Sequence, residues 1–297
     1  MTDLSDRNVK NTINSSVDRT GEAAEDPRTA LTQSKRIVIK IGTSSLVYPN
    51  GKMNLRRIEK LARVVSSLKN EGREVILVTS GAIAVGTEVL KLSEKPSTVS
   101  GRQAAAAVGQ VHLMQVYSRL LAEYGYTVAQ ILLTRGTIDV PEARQNAVNT
   151  FTGLLEMGVL PVVNENDTIA VDEIKFGDND SLSSIVARLT GADLLVILTD
   201  IDGYYKNNPH EQPDAEMYHT VTDLSEAIEA AAGGAGSRLG TGGMLTKVHA
   251  ARLAAADGIF AVIANGQDPE IIYELLAGND VGTLFVPASW KQSDGRI

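Results

Sequence analysis

A glycine-rich run that ends in a lysine is the first feature of the sequence that could carry chemistry. The run spans residues 240–247 and reads Gly-Thr-Gly-Gly-Met-Leu-Thr-Lys. The apolar spacing after it predicts a helix from Gly243 to Ala256. A helix N-terminus offers free N–H groups to anions, glycines let a phosphate approach the backbone, and Lys247 lies one turn into the helix. The run indicates a phosphate cradle, with a flexible loop before an ordinary helix as the alternative.

A lysine within an apolar strand is the second candidate. Lys40 stands between Ile39 and Ile41 in a short run that ends at Gly42. Burying an unpaired ammonium group is costly, so Lys40 must meet a carboxylate, a phosphate or the edge of the sheet. It lies at the carboxyl end of its strand, where open α/β sheets bind ligands. An ordinary buried salt bridge is the alternative.

Polar residues also follow three other predicted strands. Ser80 follows the second strand, Asn-Glu-Asn-Asp at 164–167 follows another, and Thr199-Asp200 ends the most apolar strand. Ser80 could donate to a carboxylate or phosphate, or it could be a plain helix N-cap. Asp200 stands where a nucleotide's base or ribose would be contacted, or it belongs to a turn.

Acids and amides are dense at 164–167 and again at 177–180, which reads Gly-Asp-Asn-Asp after a predicted hairpin over 168–177. Such groups are suited to holding an α-amino group, and an aspartate could orient two lysines. A turn with a helix cap explains the same residues equally well. Lys40, Ser80, Asp167 and Asp200 all fall at the carboxyl ends of strands, however, so they can meet at one edge of a single sheet.

The elements that must position these residues alternate between strand and helix. Strands are predicted at 36–42, 74–79, 127–133, 159–163, 193–199 and 259–264, with helices at 54–70, after Ser80, at 101–124, after Pro141 and at 243–256. This alternation predicts an α/β fold, a three-layer αβα sandwich around a mainly parallel sheet. We expect one domain over residues 35–297, with a split near 170–190 as the alternative. Residues 1–34 lack aromatic residues and predict a disordered N-terminal extension, or else a short docking helix.

Composition and missing motifs narrow the function. A net charge of −8 disfavours a nucleic-acid partner, and the absence of cysteine excludes thiolate chemistry and disulfides. No apolar run is long enough to span a membrane and residues 1–34 have no signal-peptide pattern, so a cytoplasmic location is expected. Gly51-Lys52 is followed by Met53 and is no Walker A motif, and residues 233–243 do not match the dinucleotide fingerprint. Any nucleotide must therefore be bound by another architecture.

In combination these motifs resemble the glutamate 5-kinases of the amino acid kinase superfamily. The resemblance covers residues 36–287 and rests on the segments Val38–Ser44, Thr79–Ala82, Asn164–Asp167, Phe176–Asp180, Thr199-Asp200 and Gly240–Lys247. It implies an amino acid kinase-like fold and transfer of phosphate from ATP, carrying Mg²⁺, to the γ-carboxylate of L-glutamate. The product is L-glutamyl 5-phosphate, the first step towards proline.

The resemblance also implies a role for each site residue. Lys40 and Lys247 would contact the phosphates, and Asp180 would organise the two lysines. The residues implied to bind glutamate are Ser80, Asp167 and Asn179. Those implied to bind ATP are Lys40, Thr199, Asp200, Thr241, Gly242, Gly243, Met244, Leu245, Thr246 and Lys247.

Partners and alternatives complete the expectations. The resemblance implies proline as a feedback inhibitor, glutamyl phosphate reductase as a partner and a homo-oligomer. The chain ends at Ile297, so we expect a form without the C-terminal PUA domain that many family members carry. Another kinase of the superfamily, such as an acetylglutamate, aspartate or uridylate kinase, is one alternative, although 164–167 favours a free amino acid over a nucleotide. A non-catalytic sensor of nucleotides or amino acids on the same fold is the other.

Overall fold

A central β-sheet organises the structure, a computed structural model that describes residues 26–170, 179–207, 209, 211–212, 214–226, 228–229 and 241–290. The strands of this part of the chain are β1 (Arg36–Ile41), β2 (Glu74–Val78), β3 (Val128–Leu133), β4 (Leu160–Glu165), β5 (Leu194–Thr199), β6 (Thr220–Val221), β7 (Phe260–Asn265) and β8 (Thr283–Phe285). They form one sheet in the order β3-β4-β2-β1-β5-β7-β8-β6.

Helices connect these strands. They are α1 (Arg28–Leu31), α2 (Thr43–Leu46), α3 (Leu55–Asn70), α4 (Ala82–Val89), α5 (Val99–Ala122), α6 (Arg135–Asp139), α7 (Pro141–Glu156), α8 (Asn179–Thr190), α9 (Thr241–Ala256) and α10 (Ile271–Leu276). Pro141 opens α7 at a position where its missing N–H costs nothing. The Asn54 side chain caps α3 by accepting a hydrogen bond from the Arg57 N–H.

The sheet is mainly parallel, as the sequence predicts. The strands β3, β4, β2, β1, β5 and β7 all pair in parallel with their neighbours. Only β8 pairs antiparallel to β7, and the short β6 then runs parallel to β8. The six parallel strands therefore present their carboxyl ends at one edge of the sheet.

Apolar layers cover both faces of the sheet. Ile37, Ile39 and Ile41 point to the face that packs on α3, α4, α5 and α10. Val38 points to the opposite face, which packs on α7, α8 and α9. This alternation along β1 confirms the αβα sandwich and places Lys40 on the same face as Val38.

Residues 26–34 correct one prediction, because they are folded rather than disordered. Arg28 begins α1 and is only 2% exposed. Its guanidinium donates hydrogen bonds to four backbone carbonyls, those of residues 219, 279, 281 and 282, and pairs with Asp280 at 2.8 Å. The ordered domain thus begins before Lys35, and the docking-helix alternative holds for this segment. Residues 1–25 lie outside the described part of the chain.

Two other differences concern small elements. The sequence did not predict β6 or β8, which are two and three residues long. Most of the hairpin predicted at 168–177 falls on residues 171–178, which are outside the described residues, while 167–169 form a turn. In the described residues, no helix has the length and apolar character needed to cross a membrane.

Candidate active site

One buried carboxylate joins two lysines from different elements. Lys40 Nζ lies 2.5 Å from Asp180 Oδ1, and Lys247 Nζ lies 3.0 Å from Asp180 Oδ2. Thr246 Oγ1 donates to the same Oδ2 at 3.0 Å. The two ammonium groups therefore occupy opposite oxygens of a single carboxylate, and the group of three charges carries one net positive charge.

The fold explains this meeting. Lys40 is the fifth residue of β1, Asp180 lies in the first turn of α8, and Lys247 lies in the second turn of α9. Helices α8 and α9 pack on the face to which Lys40 points. The alternation of side chains along β1 points Lys40 to one face of the sheet, and α8 and α9 pack on that same face. The three side chains therefore meet at the carboxyl edge of the sheet.

Burial and charge act against each other on Asp180, which is 2% exposed. Burial raises the pKa of the Asp180 carboxyl. The attraction of Lys40 and Lys247 and their hydrogen bonds outweigh burial and hold that pKa below its ordinary value. Asp180 is therefore an anion near neutral pH and lies between the two ammonium groups.

A cluster of buried amides lies beside this charged group. Asn179 Nδ2 donates to Thr79 O at 2.7 Å, to Ser80 Oγ at 2.9 Å and to Asn164 Oδ1 at 2.9 Å. Asn164 Nδ2 donates in turn to Gln110 Oε1 at 2.8 Å. Because Asn179 directly precedes Asp180 in α8, the amide cluster and the lysine pair are fixed to the same helix start.

The predicted glutamate-binding residues are only partly brought together. Ser80 and Asn179 are in hydrogen-bond contact. Asp167 lies in the turn after β4 and is half-buried. This turn is anchored because the Asn166 N–H donates to Leu133 O at 2.8 Å, which keeps Asp167 at the same edge of the sheet.

The predicted nucleotide-binding residues flank the lysine pair on its other side. Thr199 ends β5, the neighbour of β1, and its hydroxyl donates to Asp200 Oδ1 at 3.0 Å. Asp200 is exposed. The Gly266 N–H donates to Thr199 O at 2.7 Å, which ties the ends of β5 and β7 together.

The glycine-rich run is described from Thr241 onwards, and Gly240 lies outside the described residues. It begins α9 at Thr241, two residues earlier than predicted. A Cβ added at Gly243 would meet nothing within 4 Å, so open space faces this glycine. Lys247 Nζ also donates to Gly243 O at 2.9 Å. Met244 packs against the core whereas Leu245 is exposed.

These residues suit a polyphosphate. Net positive charge, an open glycine backbone and a helix N-terminus are the features that bind phosphate groups in proteins. In the described residues no group of three or more His, Asp or Glu side chains could hold a metal ion.

Sequence reasoning missed Asn164 as a site residue and did not consider Gln110. Asn164 belongs to the polar run at 164–167, so its position was signalled. Gln110 was signalled more weakly, as a polar residue on the buried stripe of α5 formed by Ala106, Leu113, Tyr117 and Leu121. A polar side chain on such a stripe needs a buried partner.

Comparison with known proteins agrees with this fold. The amino acid kinase family matches residues 35–265, and the chain belongs to that family of kinases. Solved structures share the fold at low sequence identity. A UMP kinase from Bacillus anthracis has a TM-score of 0.59 at 18% identity, covering 86% of this chain and 97% of its own. A carbamate kinase from Giardia lamblia bound to AMP-PNP has a TM-score of 0.61 at 18% identity, covering 86% and 99%.

Within the family, the similar curated proteins are glutamate 5-kinases, and the chain is one of this group. That of Clostridium perfringens is 52% identical over 87% of this chain and 98% of its own length. Those of Listeria innocua and Enterococcus faecalis are 53% and 50% identical, also over 87% of this chain, and over 95% and 97% of their own lengths.

Proposed function

We propose that the protein transfers the γ-phosphoryl group of ATP to the γ-carboxylate of L-glutamate and so makes L-glutamyl 5-phosphate, the first step towards proline. The observation that carries the proposal is the lysine pair on Asp180 beside the amide cluster of Asn179 and Asn164. The lysine pair fits phosphate groups, and the amides fit an amino acid. The names of the curated relatives support the choice of L-glutamate.

The chemistry asks for alignment rather than for a base. The acceptor is already a carboxylate anion, so no proton has to be removed from it. The barrier lies in bringing two anions together and in holding them in line. Lys40 and Lys247 neutralise this charge from two sides, and Asp180 fixes the distance between their ammonium groups.

The nucleotide would be held between β5 and α9. Thr199 and Asp200 are the residues for its base and ribose side, and the segment from Thr241 to Lys247 is the cradle for its phosphates. Mg²⁺, when bound, supplies further neutralisation of the phosphate charge. We take it to arrive with ATP, because the phosphate oxygens themselves are the ligands that Mg²⁺ prefers.

Glutamate would be held by Ser80, Asp167 and Asn179. The carboxylate of Asp167 suits the α-ammonium group, and the Ser80 hydroxyl suits a carboxylate. We further propose a cytoplasmic, homo-oligomeric enzyme without a nucleic-acid partner, whose product passes to a glutamyl phosphate reductase. Proline, the pathway's end product, would inhibit by occupying the glutamate site, and inhibition that excess glutamate cannot relieve would contradict this.

The decisive assay follows ADP release and hydroxamate formation with ATP, Mg²⁺ and one acceptor at a time. L-glutamate should give both signals, whereas N-acetyl-L-glutamate, L-aspartate and UMP should give little of either. Activity with N-acetyl-L-glutamate but not with L-glutamate would assign the chain to a different kinase reaction. No turnover with any acceptor, together with intact ATP binding, would favour a sensor.

A further inference from the structure

Gln110 lies outside every role assigned so far, yet it ends the chain of buried amides that reaches the candidate active site. It stands in the middle of α5 and is 6% exposed. Its Oε1 accepts from Asn164 Nδ2 at 2.8 Å. Its Nε2 has no hydrogen-bond partner in the described part of the chain. A buried amide with one unpaired end costs free energy and calls for an explanation.

The orientation of each amide in the chain is fixed by its partners. The Glu165 N–H can only donate, and it donates to Asn164 Oδ1 at 2.9 Å. The oxygen of Asn164 therefore faces that N–H, and its nitrogen must face Gln110. Gln110 must then present its oxygen to Asn164, which leaves its own nitrogen unpaired.

The same logic determines the orientation of Asn179. Thr79 O can only accept, so the atom of Asn179 that faces it is the nitrogen. The same nitrogen faces Asn164 Oδ1 and Ser80 Oγ. The oxygen of Asn179 is therefore the end turned away from these three acceptors.

We propose that Gln110 is a positioning residue for the acceptor substrate. By accepting from Asn164 Nδ2, Gln110 adds a second contact to that of the Glu165 N–H and holds the Asn164 side chain in the place where its oxygen accepts from Asn179. The Asn179 amide is thereby held with its nitrogen on Asn164 and its oxygen available to the substrate. An oxygen at that place recognises a donor such as an ammonium group and disfavours a second carboxylate. The inference rests on the proposed function, because it assigns Asn179 to the α-ammonium group of glutamate.

The chain of amides also links two layers of the fold. Gln110 comes from α5 on one face of the sheet, whereas Asn179 opens α8 on the other face. Asn164, at the end of β4, joins them around the edge of the sheet.

Gln110→Met tests the inference, because methionine has a similar shape and no acceptor. We expect the KM for L-glutamate to rise roughly tenfold, in line with loss of one hydrogen bond that orients the substrate. The KM for ATP should change less than about twofold and kcat less than about threefold, which is the signature of lost ground-state binding. Gln110→Glu keeps an acceptor for Asn164 and should restore much of the affinity. Gln115→Met, the same change at an exposed position of the same helix, is the matched control.

The outcomes separate the two proposals. Wild-type protein that releases no ADP with L-glutamate would overturn both. Active wild type with an unchanged glutamate KM in Gln110→Met would overturn the inference alone. A lowered melting temperature together with equal rises in the KM for L-glutamate and the KM for ATP would show that Gln110 is purely structural. That outcome would also overturn the inference. If Gln110→Met does not fold, Gln110→Ala removes the same acceptor without adding bulk, and the same comparison applies.

Discussion

Lys40 and Lys247 contact opposite oxygens of the Asp180 carboxylate, at 2.5 Å and 3.0 Å. The two lysines are separated by 207 positions in the sequence, and they come from different layers of the sandwich. A single aspartate thus fixes the distance between the two positive charges. Because one carboxylate cannot neutralise two ammonium groups, the site retains a positive charge that can act on phosphate.

Lys247→Met should slow turnover at least about tenfold, which corresponds to about 1.4 kcal/mol of added barrier. The ammonium group is removed while the length of the side chain is kept, so only charge stabilisation is lost. Steady-state kinetics with L-glutamate and ATP would measure the change. Lys95→Met, at an exposed position, should leave kcat within about twofold. Equal kcat values for Lys247→Met and Lys95→Met would show that Lys247 takes no part in phosphoryl transfer.

The stability contributed by Asp180 should depend on pH in a defined direction. Its folded-state pKa lies below the ordinary value of 3.8 because the two lysines outweigh burial. Its contribution is therefore fully present above the unfolded-state pKa and is lost as pH falls through the folded-state pKa. Urea unfolding measures the difference in unfolding free energy, here called the gap, between wild type and Asp180→Asn. This gap should be constant from about pH 6.5 to about pH 5 and should narrow below about pH 4.

The opposite pH profile is equally easy to recognise. If burial outweighed the lysines, the folded-state pKa of Asp180 would be raised, and the unfolding free energy of wild type relative to Asp180→Asn would rise rather than fall as pH drops through that pKa. Asp268→Asn is a control at an exposed position, where a hydrogen bond from Lys60 holds the pKa of the Asp268 carboxyl below its ordinary value. It should show a much smaller gap throughout, because exposed ion pairs contribute little.

The sequence predicted the sheet and the position of Lys40 because both follow from local periodicity. A charged residue within an apolar strand is visible in the sequence itself. Parallel strands have their carboxyl ends at one edge of the sheet whatever their residues are. The contact between Asn164 and Gln110 follows from no local pattern, since it depends on how α5 packs across β4. The short strand at Thr283–Phe285 was not predicted either, because three residues are too few to show a periodic pattern.

The folding of residues 26–34 was not predicted because the partners of this segment are remote in sequence. Arg28 stands in a polar stretch, and polar stretches ahead of a first strand are commonly disordered. Its partners are backbone carbonyls more than 190 residues further along the chain. Backbone carbonyls of a turn leave no signature in the sequence, so only the folded structure reveals what Arg28 stabilises.

Arg28→Met should therefore lower the stability of the fold substantially. Arg28→Met leaves buried carbonyls without a donor and Asp280 without its partner, at a cost of about 2–3 kcal/mol. Differential scanning calorimetry should show a fall in Tm of roughly 5–10 °C. Arg188→Met is the matched control, because Arg188 is a half-exposed surface residue whose contact with Asp257 is long, at 3.8 Å. Equal Tm values for both variants would show that the segment is not held by Arg28.

The crossing of α4 and α5 depends on two glycines that no other residue can replace. A Cβ at Gly86 would lie 1.8 Å from Ala105 O, and a Cβ at Gly109 would lie 1.8 Å from Ala82 O. Neither distance is physically possible, so any side chain must push the helices apart. Because α4 begins two residues after Ser80, this displacement should also reach the acceptor side of the site.

Gly86→Ala should consequently cost about 2–4 kcal/mol of unfolding free energy and raise the KM for L-glutamate more than that for ATP. Gly153→Ala is the control, because Gly153 lies within α7 and a Cβ there would meet nothing within 4 Å. Replacing a helical glycine in open space should stabilise the fold by about 0.5–1 kcal/mol. If the helix crossing is as close as described, urea unfolding should show a lower free energy of unfolding for Gly86→Ala and a higher one for Gly153→Ala. Steady-state kinetics on the same two variants measure the KM values. A neutral Gly86→Ala would mean that α4 and α5 separate without cost, and that Ser80 is positioned by Asn179 rather than by its helix.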